Sequence, residues 1–187
     1  MPHPRTTRRK LAIGLGGAAA MLAATAGLAF GQINNPPDGG PPQAPGPNVM
    51  TTACGPNQNS IVKTDASPTA TSSVNPVQLP DAVTQFVVPD GQSRCVKVSF
   101  TAETACQGPA ADDYCYVAAV IDGAPMNPFG AGFQALDSED GTGSAHAYQW
   151  VKRVGDGPHT VTILRHVGVA TTMFWTDEWT FDTSIFL

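Results

Sequence analysis

Two arms of patterned polarity, joined by a loop bounded by cysteines, dominate residues 95–123, CVKVSFTAETACQGPAADDYCYVAAVIDG. In the first arm Val96, Val98, Phe100 and Ala102 share one face and Lys97, Ser99, Thr101 and Glu103 the other, the period-two signature of a half-buried strand. Residues 116–121 are apolar on both faces, which suits a strand covered on both sides or standing at a junction between two sheets. The linking QGPAADDY is rich in turn formers, so the stretch reads as a hairpin stapled near its turn by Cys106 and Cys115.

The remaining sequence keeps to the same period. Short strands are expected at residues 60–63 and 69–74, and a better one at 84–88, closed by Pro89-Asp90-Gly91. Residues 145–154 end in Gly155-Asp156-Gly157-Pro158, and residues 159–167 then turn Val161, Ile163 and Val167 inward. At the C-terminal end Trp179, Phe181, Thr183, Ile185 and Leu187 alternate with polar neighbours. Asp122-Gly123 opens a long loop to Gly143 that holds Pro125, Pro128, Gly130, Gly132 and Gly141, and loops of that length tend to be functional. No stretch holds a helical period for three turns. The pattern predicts an all-β chain of about seven to nine strands in an antiparallel two-sheet sandwich.

Residues 1–31 are expected to be a signal peptide: Arg5, Arg8, Arg9 and Lys10 precede a Gly/Ala-rich apolar run, with cleavage after Ala29 or Gly31. The Arg8-Arg9 pair resembles a twin-arginine signal. The run is long enough to span a bilayer, but Gly and Ala drive insertion weakly, so membrane attachment is expected only through an uncleaved signal. Residues 32–50 carry Pro at 36, 37, 41, 42, 45 and 47 and read as a disordered Pro/Gly-rich linker ahead of a domain at 51–187. Loss of residues 1–31 would remove four of the ten Lys/Arg and none of the fifteen Asp/Glu. The resulting charge of about −9 disfavours nucleic acid and anionic lipid as partners.

Four cysteines in an exported chain imply two disulfides. An extended strand from Cys95 would place it more than about 25 Å from Cys106, beyond disulfide reach, and position 95 lies too far along its arm for Cys115. Cys54–Cys95 and Cys106–Cys115 remain.

Chemistry is harder to find. The chain has no G-x-S-x-G, no H-E-x-x-H and no C-x-x-C, and paired cysteines leave no reactive thiol. No Ser or carboxylate stands at a diagnostic spacing from His146, His159 or His166, so each reads as structural; His159, opening a strand, is placed to bond loop carbonyls. Asp137, Glu139 and Asp140 offer hard oxygen ligands suited to Ca²⁺, as does the Asp112-Asp113 pair, but the EF-hand spacing is missing and a solvated acidic loop is favoured. No catalytic residue, cofactor or metal is expected. Trp150, Trp175 and Trp179 gather with Tyr148 and Phe174 in the last third. Trp179 is assigned to the core, and Phe174-Trp175, before Thr176-Asp177-Glu178, forms a candidate ligand-binding pair at a strand end.

The segments CVKVSFTAETAC, CYVAAVIDGAPMNP, GDGPHTVTILRH and EWTFDTSIF resemble, over residues 84–187, a loose group of exported bacterial proteins with jelly-roll sandwiches like those of C1q and TNF. The resemblance implies a jelly-roll-like fold and carries no functional residue across; the same folds imply homo-oligomers. Taken together, a secreted or envelope-associated, non-enzymatic module that binds a glycan or protein is expected. A hydrolase using acidic loop residues and a structural homo-oligomeric subunit are the alternatives.

Overall fold

The computed structural model describes residues 52–109, 112–128, 132–138 and 141–187; the expected signal peptide and linker, together with Glu139 and Asp140, lie outside the described residues. Ten strands follow one another: β1 (Asn57–Asp65), β2 (Thr69–Thr71), β3 (Val77–Val88), β4 (Arg94–Gln107), β5 (Tyr114–Ile121), β6 (Ala124–Pro125), β7 (Gln134–Ser138), β8 (Ser144–Val154), β9 (Gly157–Val167) and β10 (Met173–Phe186). The first sheet runs β1-β10-β4-β8, with β2 also paired to β10. The second runs β3-β9-β5-β6, with β7 also paired to β5. Every strand pair is antiparallel. The expected all-β two-sheet sandwich is what the chain forms.

The stapled hairpin is not. β4 pairs with β10 and β8, and β5 with β9 and β7, so the two arms stand in opposite sheets. Cys106–Cys115, with 5.8 Å between Cα atoms, therefore ties one sheet to the other at the crossover. Cys54–Cys95, at 5.5 Å, fastens the incoming chain to the far end of β4. The described residues after Asp122, expected as loop, include further strands. They contribute β6 and β7, and Asn127 bridges to Val151 of β8.

Side-chain alternation explains the core. Val96, Val98, Phe100 and Ala102 point between the sheets and meet Val117, Ala119, Ile121, Val161 and Ile163, with Trp150, Trp179 and Phe181 filling the remaining space. Each large side chain so buried stabilises the fold by about 1.5–3 kcal/mol. Ala118 and Val120, on the outer face of β5, are buried as well, which accounts for the doubly apolar pattern of that strand.

The strands define two ends. The lower end holds Cys54–Cys95 and the last residue, whose backbone pairs with the incoming chain through Gly55 N–H to Leu187 O and Leu187 N–H to Pro56 O. The upper end holds Cys106–Cys115 and the turns after β2, β4 and β9.

Candidate binding surface

Phe174 and Trp175 part company. β10 turns Phe174 into the sandwich, where it is 0% exposed, while Trp175 emerges on the outer face of the first sheet at 40% exposure. The expectation of a joint site is corrected: Phe174 is core, packed beneath the Arg165 guanidinium at 5.9 Å from its ring centroid. Trp175 stands opposite Ala70 of β2 on one side and Ala105 of β4 on the other. The next outward row holds Glu103 of β4 opposite Asp177 of β10.

Trp175 belongs to a larger apolar rim. Eight large hydrophobic side chains are exposed among the described residues, and five of them, Val74, Tyr114, Val169, Met173 and Trp175, stand at the upper end. The loops carrying them are braced. Asp113 is buried, accepts hydrogen bonds from the Val169 N–H at 3.0 Å, and sits so close to Gly168 that a Cβ there would meet its Oδ1 at 2.2 Å. Burial raises its carboxyl pKa, but the Thr172 side chain and the Tyr114, Val169 and Gly168 amides outweigh this and hold it below 3.8. Gly168 N–H bonds Tyr114 O, Val167 N–H bonds Ser73 O and Thr172 N–H bonds Val169 O. Asp113 is thus a structural brace rather than an open cation ligand. On the second sheet Tyr116 stacks on His166 at 4.8 Å, with Phe133 edge-on to the same imidazole at 4.6 Å. Burial and then the charge of Asp113 push the Tyr116 phenol above its usual range.

Asp137, expected in an open acidic loop, is buried on β7, where it accepts from the Thr104 hydroxyl at 2.7 Å and from the Ser138 N–H. No group of three or more His, Cys, Asp or Glu arranged to hold a metal occurs among the described residues. His146 bonds Ser144 Oγ at 2.5 Å through Nε2 and the Leu136 carbonyl through Nδ1. Asp137 Oδ1 lies 3.8 Å from Nε2, the nitrogen that already faces the serine, so the three groups are not in relay order. This contact was invisible in sequence because it depends on β7 lying beside β8. His159 bonds the Gly155 carbonyl at 3.1 Å, as its place at a strand start implied, and also Asp122 Oδ2 at 2.7 Å. For Asp122 burial raises the pKa, but the hydrogen bonds from His159 and the Thr160 N–H, together with the nearby His159 and Lys152, outweigh it and the net direction is down. At the lower end a shallow groove of about 330 Å³ lies among Lys97, Gln149, Val151, Asn127 and Phe186.

The geometry defines a disulfide-braced antiparallel β-sandwich with an exposed aromatic on one sheet face, and the two disulfides are compatible with an extracellular setting. No protein-family model matches the chain, and no curated protein matches it. Among solved structures it is similar to the EclA C-terminal domain, titled a sugar-binding protein, at 9% identity and a TM-score of 0.34, over 71% of this chain and 81% of that one. It is also similar to dimeric latent PorU from Porphyromonas gingivalis, at 7% and 0.41, over 74% of this chain and 14% of that one. Infectious bursal disease virus Gx strain matches at 13% and 0.32, over 80% and 37%. At such values the likeness carries no site across.

Proposed function

We propose that the chain is a secreted or envelope-associated, non-enzymatic binding module that meets an extracellular glycan or protein with its upper end. The observation that carries this reading is that five of eight exposed large hydrophobics among the described residues, Trp175 among them, lie on strand ends and turns at the end braced by Cys106–Cys115 and Asp113. Exposed apolar groups gathered in one place mark interaction sites, and aromatic side chains dominate binding energy. The strand orders β1-β10-β4-β8 and β3-β9-β5, with β7 also paired to β5, support the jelly-roll reading. A hydrolase would need two carboxyls across a cleft; Glu103 and Asp177 adjoin on an open sheet face, which favours binding.

The test is capture of the exported protein by cell-wall glycan and envelope-protein fractions, comparing wild type with Trp175→Ala and with Val87→Ala, an exposed side chain outside the upper end. Trp175→Ala is expected to weaken capture about tenfold and Val87→Ala to leave it unchanged. Equal capture by all three would refute the assignment. Light scattering that returned a trimer dissociated by Trp175→Ala would assign the surface to self-assembly instead.

A further inference from the structure

The two sulfurs of Cys54–Cys95 stand in different surroundings. Cys54 is exposed and lines the groove of about 330 Å³ at the lower end, whereas Cys95 is 0% accessible. With Val96 and Val98 in the core, alternation along β4 puts Cys95 on the outer face of the first sheet. Lys97 follows two residues along on that face, and Arg153 of β8 stands directly opposite Cys95. No carboxylate pairs with either cation among the described residues. Lys97 lines the same groove as Cys54, with Val151 and Phe186, and Arg153 Nη2 donates to the Ala53 carbonyl at 2.6 Å, which holds the residue before Cys54 beside a cation.

Exchange of a disulfide needs an accessible sulfur to attack and a second sulfur that leaves readily as a thiolate. Neighbouring cations favour the thiolate of a cysteine. We infer that Cys54–Cys95 is a thiol-exchange site for a small anionic thiol. The thiol lies in the groove with its acid group against Lys97, and its thiolate sulfur attacks Cys54 Sγ. As the new S–S bond forms, the Sγ–Sγ bond breaks and its electron pair goes to Cys95 Sγ, which leaves as a thiolate beside Lys97 and Arg153. One disulfide replaces another, so no further oxidant or reductant is consumed. The product carries the small thiol on Cys54 and a free thiol on Cys95. The groove volume is at the low end of the small-molecule range. Gly55 and Pro56 stay paired to Leu187, and β1 to β10, so exchange loosens only the chain ahead of them. Cys106 and Cys115, both 0% accessible, offer no comparable point of attack.

The disulfide-bonded protein incubated with glutathione, quenched with an alkylating agent and mapped by mass spectrometry, tests the site. Glutathione should be found on Cys54, the alkyl group on Cys95, and Cys106–Cys115 closed. A first adduct on Cys95, equal opening of both bridges, or no adduct would overturn the inference. The charge of the thiol is read from the ratio of opening rates with 2-mercaptoethanesulfonate, which is anionic, and 2-mercaptoethanol, which is neutral. That ratio should fall about two- to fivefold in Lys97→Gln and should also fall with added salt. Lys97→Arg should restore it, and Glu103→Gln, on the same strand and face but outside the groove, should leave it unchanged. Melting temperatures of the oxidised variants should match wild type, so that a changed ratio reports the groove and not the fold. A ratio indifferent to Lys97 would overturn the choice of an anionic thiol. Both results are independent of capture through Trp175 at the other end of the sandwich.

Discussion

Gly168→Ala should be destabilising only while Asp113 is present. The added Cβ would lie 2.2 Å from Asp113 Oδ1 and 3.3 Å from its Cγ, so the carboxylate must swing aside. It is buried, and moving it breaks the bond from Val169 N–H at 3.0 Å. Leaving a buried acceptor unsatisfied costs about 1–3 kcal/mol. The backbone of Gly168 is outside the left-handed region, so alanine fits its conformation and returns about 0.4–1 kcal/mol by stiffening the unfolded chain. The net expectation is a loss of about 1–2 kcal/mol in the wild-type background. In an Asp113→Ala background the obstruction is gone, and the same substitution should stabilise by about 0.5 kcal/mol.

Urea denaturation of the four proteins of this cycle, followed by tryptophan fluorescence, measures the coupling. A cost for Gly168→Ala that is the same in both backgrounds would refute the brace. The pH dependence supplies a second check. Asp113 has a folded pKa below its unfolded value of 3.8, so its contribution is present above 3.8 and is lost as pH falls through the folded value. The stability gap between wild type and Asp113→Asn should therefore be full at neutral pH and narrow under strongly acid conditions.

Two further outcomes follow from burial. Phe174→Ala should lower stability by about 3–5 kcal/mol, seen as a large fall in melting temperature, whereas Trp175→Ala next to it should change stability by no more than about 0.5 kcal/mol; similar melts for the two would contradict their opposite facing. Mild reductant should open Cys54–Cys95 first, because Cys54 is exposed while Cys106 and Cys115 are both 0% accessible. Alkylation mapped by mass spectrometry reads this directly. Losing that cross-link, which spans 41 residues, should cost about 4 kcal/mol on the chain-entropy account.

The sandwich was legible because inward alternation survives in β4, β9 and β10, and the cysteine pairing because few geometries satisfy it. The error over the hairpin has a physical origin. Two strands joined by a turn-rich loop have the same pattern whether they pair or cross to opposite sheets, and a disulfide bridges either arrangement. The error over Phe174 is a matter of phase. The sequence places the pair at a strand end, whereas β10 runs through it, and alternation extended from Trp179 and Phe181 would even have turned Trp175 inward and Phe174 out. A register shift in β10 between Asp177 and Thr180, with Glu178 at φ 42°, inserts one residue and reverses the assignment. Nothing local in Thr176-Asp177-Glu178 announces that bulge. β7 escaped notice because it is short and lies between Gly132 and Gly141, and because its ladder comes from β5 across an intervening loop.

Arg165 shows why the upper end holds its shape. Its side chain lies between the sheets, and Nη1 donates to the Thr69 carbonyl at 3.1 Å and to Thr176 Oγ1 at 2.9 Å. Burial lowers its pKa to about 10, so it stays charged at neutral pH at a cost on the order of 3 kcal/mol. No carboxylate pairs with it among the described residues. The nearest compensation in the ladder is indirect: Thr176 stands opposite Thr104, whose hydroxyl bonds buried Asp137. A hydrophobic residue at 165 would avoid that cost. What it could not do is reach from β9 in one sheet to β2 and β10 in the other. β2 is three residues long and pairs only with β10, too little ladder to hold itself. The guanidinium fixes it from below, and β2 carries Ala70, one wall of the Trp175 surface. The costly buried cation thus sits where it holds β2 and the Trp175 face in place.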